Sequence, residues 1–150
     1  MNITISNMLA ADQPALQQLF LAVRQQSFTW LNTAAYQLTD FDEQTKDEWI
    51  LLAKNATEIV GFIAVWLRES FIHHLFVKTS CQGMGIGTLL LNEVKRKLTD
   101  PITLKCLTQN KAAIHFYKSN GFKEKESGVS ADGPFLVFEY EALEQEQDQL

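Results

Sequence analysis

An alternating segment, Phe71 to Val77, runs into the turn Gln82-Gly83-Met84-Gly85-Ile86-Gly87 and then into helical spacing from Gly87 to Leu98. A strand, a glycine-rich turn and a helix in that order form a device for holding phosphate. The first N–H groups of a helix have no partner within it, and glycine lets the backbone approach a ligand closely. Gln82 adds a side-chain amide at the entrance and Thr88 a hydroxyl just inside the helix. The spacing removes two nucleotide folds. A P-loop needs Lys-Ser/Thr after its last glycine, and here Thr88-Leu89 stands there. A dinucleotide fold needs G-x-G-x-x-G in its first βα turn, whereas this G-x-G-x-G lies past the middle of the chain, and Asp100, near the acidic offset, precedes Pro101 in a turn.

The elements around this unit predict one α/β domain over residues 1–150, with a polar tail from about 142. Residues 2–6 read as a strand. A helix is expected near Asp12 to Arg24, capped by Asp12, with Pro14 in its first turn and Leu16, Leu19, Phe20 and Val23 as its apolar stripe. Asp40-Phe41-Asp42-Glu43 resembles a capping box opening a short helical turn. Trp49–Lys54, Ile59–Trp66 and Phe71–Val77 predict a meander. Alternation in the last of these puts Phe71, His73, Leu75 and Val77 on one face and Ile72, His74 and Phe76 on the other. Leu89, Leu90, Val94 and Leu98 mark the buried side of the next helix. A strand at Ile102–Cys106, a helix at Asn110–Ser119 and a hairpin from Phe122–Lys125 and Phe135–Tyr140 complete the reading.

Composition narrows the function classes. A net charge of -5 argues against nucleic-acid binding, and no apolar run is long enough for a bilayer span. Cys81 and Cys106 have neither disulfide-framework nor metal-ligand spacing, so no metal is expected and a cytoplasmic location is. Cys81, just before a helix N-terminus, reads as a small buried residue rather than an acyl-carrying thiolate.

Three stretches together resemble one family. Gln82 to Gly87 is similar to the Q/R-x-x-G-x-G/A signature of the GNAT superfamily of N-acetyltransferases, and Leu75-Phe76-Val77 to its L-x-V strand. The run from Asn110 through Ala113, Phe116-Tyr117 and Gly121-Phe122 resembles its N-x-x-A-x-x-F-Y-x-x-x-G-F motif. The resemblance implies a central mixed, mostly antiparallel sheet with one splayed parallel pair, flanked by helices. It implies acetyl-CoA as acyl donor, held by Leu75, Phe76, Val77, Gln82, Gly83, Met84, Gly85, Ile86, Gly87, Thr88, Asn110 and Tyr117, and a primary amine as acceptor. A backbone N–H near Leu75 or Phe76 would polarise the thioester, and Tyr117 would return a proton to the CoA thiolate.

The base that frees the amine falls first to His73, then to His74 and Glu69, with a water route as the alternative. Phe28, Trp30, Tyr36 and Phe41 are candidates for an acceptor wall with His74, and Asp40 or Asp42 for attracting a cation. Other acyl donors, or a CoA-binding sensor without turnover, are the rival readings, and a monomer or homodimer is expected.

Overall fold

The computed structural model describes residues 2–142; the acidic end, 143–150, lies outside the described residues. The strands are β1 (Ile3–Asn7), β2 (Trp49–Asn55), β3 (Glu58–Trp66), β4 (Phe71–Val77), β5 (Ile102–Leu107), β6 (Lys123–Ser130) and β7 (Gly133–Tyr140). The helices are α1 (Gln13–Ser27), α2 (Asp40–Gln44), α3 (Ile86–Lys97) and α4 (Lys111–Ser119). The strands form one sheet in the order β1-β2-β3-β4-β5-β7-β6. Every neighbouring pair is antiparallel except β4 and β5.

The near-continuous apolar run of β3 reflects burial on both faces. Ile63 and Val65 belong to a core with Leu90, Leu91 and Val94 of α3, Leu104 of β5 and Phe138 of β7. The intervening Phe62 and Ala64 pack with Leu16, Phe20 and Val23 of α1 and Phe41 of α2. The sheet is thus a middle layer between two helical layers. On α3 the buried positions are Ile86, Leu90, Leu91 and Val94. Leu89, expected on that stripe, is exposed instead, because the buried stripe runs through Ile86, Leu90, Leu91 and Val94 and leaves Leu89 at its outer edge.

Two expected caps are absent. Asp12 makes no side-chain cap to α1; its carboxylate accepts the Leu9 N–H at 2.8 Å and pairs with Lys54 at 3.4 Å. Asp40 is the first residue of α2 rather than its cap. Its carboxylate accepts the Gln37 N–H at 2.9 Å and pairs with Arg24 at 3.2 Å. Arg24 is the reason. Its guanidinium is buried, 3.9 Å above the Phe20 ring and 4.2 Å from that of Tyr36, and such a charge requires a carboxylate partner.

The face pattern expected of β4 fails at His73. β3 pairs Ala64 with His74 and Val65 with Ile72, so His73 is an extra, bulged residue. Alternation resumes one residue out of step. Ile72 therefore joins the α3-side core with Leu75 and Val77, while His74 and Phe76 turn toward α1. His73 leaves the face of Leu75 and Val77, and its ring lies 4.0 Å from that of His74.

Candidate active site

β4 and β5 share only two rungs, Phe71 with Thr103 and Ile72 with Leu104, while β5 continues along β7 to Leu107. Beyond Ile72 the two parallel strands separate. On its β5 side, the backbone of Leu75, Phe76 and Val77 is left without a ladder partner. The gap opens into a cavity of about 820 Å³, bounded by those three residues and by the starts of α3 and α4.

The glycine loop shapes one end. Gly83 and Gly85 both have φ +81°, a left-handed conformation that costs a side-chain-bearing residue about 1–2 kcal/mol, and Gly85 caps α3. Gln82, Gly83, Gly85, Ile86, Gly87 and Thr88 all border the cavity. Met84, also expected in the set, lies exposed in the loop and off the cavity wall. The Gln82 amide donates to the Val77 carbonyl at 3.1 Å, tying the loop to the end of β4. Uncapped N–H groups, close backbone and an extended slot form a surface suited to a diphosphate joined to an amide-bearing chain.

Asn110 and Tyr117 reach the cavity from α4. The Asn110 side-chain oxygen accepts the Ala113 N–H at 3.2 Å, which caps the helix and leaves the amide hydrogens for another partner. Tyr117 is packed among Phe116, Phe122 and Phe138, and its hydroxyl has no hydrogen-bond partner among the described residues. Burial, with the neighbouring Cys106, raises its pKa far above that of an ordinary phenol and keeps it protonated. Cys81 is buried, as expected.

Neither histidine borders this cavity. They lie further toward the start of β4, where the bulge turns both rings together. His73 Nδ1 is 2.8 Å from Glu48 Oε2, and the Glu48 side chain is only 4% exposed against 41% for His73. Desolvation raises the Glu48 pKa, with His73 opposing it. His74 is half-buried with its Nε2 shut off from solvent, and its pKa is driven down to about 3 by burial and by the charges of His73 and Arg24. It therefore stays neutral at physiological pH. Glu69 sits in an exposed turn before β4.

Sequence reasoning missed Glu48. Its only signal was register: Trp49 pairs with Val65, which pairs with Ile72, so Glu48 falls beside the row of the histidines.

The aromatic segment divides. Phe28 and Trp30 border the cavity, where the Trp30 Nε1–H is buried and unpartnered among the described residues. Phe41 and Tyr36 are corrected. Phe41 is a core residue, 1% exposed, edge-on to Phe20 and Phe62, and Tyr36 covers Arg24. His74, which packs against Phe20, is likewise absent from the cavity wall. Neither aspartate faces the cavity: Asp40 holds Arg24, and Asp42 accepts from Gln13 at 2.6 Å and Gln17 at 2.7 Å.

A mixed sheet parted between parallel strands, with helices on both faces, is the architecture of the GNAT fold. The chain belongs to the Acetyltransferase (GNAT) family, whose family model matches residues 14–122. It is 40% identical over 80 residues to an uncharacterized N-acetyltransferase of Methanocaldococcus jannaschii. That match covers 45% of this chain and about a third (35%) of the relative's length. Among solved structures, apo YjaB of Escherichia coli superposes with a TM-score of 0.76 at 22% identity, covering 95% of this chain and 100% of that one. The PaiA N-acetyltransferase of Thermoplasma acidophilum, solved with coenzyme A, gives 0.71 at 20% identity, covering 95% and 100%. At these identities the two superpositions speak to the fold.

Among the described residues, no helix is long and apolar enough to cross a membrane.

Proposed function

We propose that this chain transfers an acetyl group from acetyl-CoA to a primary amine by direct attack within a ternary complex. The observation that carries the reading is the gap between β4 and β5, which leaves the backbone of Leu75 to Val77 bare beside the glycine loop and the Tyr117 hydroxyl.

The N–H groups at the start of α3 bind the donor's pyrophosphate. The bare edge of β4 and the Asn110 amide hold its pantetheine arm as an added strand. A backbone N–H near Leu75 or Phe76 stabilises the oxyanion as the amine nitrogen adds to the thioester carbonyl. When the C–S bond breaks, Tyr117 donates its proton to the departing thiolate. His73 lies off the cavity, so it accepts the proton lost by the amine through intervening water, its ring steadied by Glu48 through Nδ1. His74 is too hard to protonate for that task. Phe28 and Trp30 form the aromatic side of the acceptor pocket, with the Trp30 N–H as a donor to a polar group of the acceptor. We assign this work to a single domain acting in the cytoplasm.

The test is CoA-thiol release from acetyl-CoA against a panel of small amines, lysine peptides and peptide N-termini. Acceptor-dependent release with one class supports the reading. Tight CoA binding without release from any acceptor points to a sensor, and faster release from propionyl- or succinyl-CoA changes the donor.

A further inference from the structure

The bulge in β4 does something a regular strand cannot. Consecutive strand residues point to opposite faces, yet His73 and His74 present their rings 4.0 Å apart. The Glu48 side chain, from the residue just ahead of β2, closes the group. One donor atom from each of Glu48, His73 and His74 lies within 4.8 Å of the others.

An ion pair accounts for only part of this arrangement. His73 Nδ1 takes up Glu48 Oε2, but Glu48 Oε1 and His74 Nε2 are both fully buried with no hydrogen-bond partner among the described residues. The carboxylate oxygen is an acceptor, and so is His74 Nε2 in the tautomer that carries its proton on Nδ1; buried acceptors call for a donor or a cation. The more exposed His73 leaves a route from solvent.

We infer that Glu48, His73 and His74 form a binding site for one divalent first-row transition cation. Two imidazole nitrogens and one carboxylate oxygen are a donor set for zinc, cobalt, nickel or ferrous iron rather than for calcium or magnesium. This inference rests on the geometry of the three side chains and is independent of acetyl transfer. A bound cation and proton acceptance at His73 are mutually exclusive uses of the same lone pairs.

The experiment is uptake of metal by the full chain after chelation and dialysis. Zinc is followed by calorimetry and cobalt by its visible ligand-field absorption. One equivalent per chain is expected, with magnesium giving no uptake. His74→Ala and Glu48→Gln are each expected to weaken zinc by at least about tenfold, while CoA binding, read by thermal shift, reports that they still fold. On the wild-type protein, zinc is expected to shift the imidazole NMR signals of His73 and His74 and leave those of His115 in place. No saturable uptake of zinc or cobalt, equal affinity in both folded variants, or unmoved His73 and His74 signals at zinc saturation would overturn the site. The thiol-release assay, run on metal-free protein, fails or succeeds separately.

Discussion

Gly87 on α3 meets Phe116 on α4 so closely that a Cβ built on the glycine would stand 3.1 Å from the ring's Cζ. Both residues border the cavity between β4 and β5, so this contact sets how near α3 and α4 lie to one another there. Gly87→Ala gains about 1 kcal/mol of helix propensity but pushes the Phe116 ring. A melting temperature close to wild type is expected, together with a CoA dissociation constant raised on the order of tenfold. Calorimetric titration of CoA measures it.

Tyr117→Phe removes the hydroxyl and leaves the ring packing against Phe122 and Phe138 intact. Turnover is expected to fall by about 10²- to 10⁴-fold, with the KM for acetyl-CoA and the melting temperature little changed. Stopped-flow thiol release with saturating donor reads the effect.

Phe41 and Trp30 look alike in the sequence and should behave differently. Phe41→Ala empties a site between Phe20 and Phe62 and should destabilise the fold by about 3–5 kcal/mol. Trp30→Ala opens the cavity wall instead. Its denaturation midpoint should stay near wild type while the KM for the acceptor rises. Urea melts and acceptor titrations on the two variants separate these roles.

Cys106 gives a pH dependence. Burial raises its thiol from 9.0 to about 11, so the native state holds this proton more tightly than the unfolded chain. Stability is then complete below pH 9 and is lost as pH rises through 9 to 11, because the native state binds more protons across that window. Cys106→Ala should flatten this part of the curve. Urea midpoints of the two proteins at several alkaline pH values, compared by difference, isolate the thiol.

Much of the fold was legible because it rests on local periodicity and turn chemistry. The apolar run of β3, the glycines before α3 and Asn110 ahead of α4 each act through near neighbours. The walls of the cavity were legible for the same reason, since Leu75 to Val77, the loop and Asn110 lie at strand and helix ends that local motifs mark.

What failed depended on contacts distant along the chain. Strict alternation in Phe71–Val77 gave no sign of the bulge at His73, which arises in the pairing with β3. Glu48 meets His73 only after three strands are laid side by side. Asp40 looked free to cap a helix or attract a substrate because its partner, Arg24, lies on another helix and is buried there. Phe41 looked like a pocket aromatic because irregular spacing does not reveal a core on the α1 side of the sheet.

The two rungs joining β4 to β5 have a mechanical consequence. β1 to β4 and β5 to β7 are two half-sheets hinged at Phe71–Thr103 and Ile72–Leu104. A donor molecule lying along the open part of that seam would act as a splint across it. By mass action, donor at about a hundred times its dissociation constant adds about 2.7 kcal/mol to stability. Proteolytic lifetime would then track the supply of donor, so the amount of this protein in a cell would follow how much of its own substrate is available.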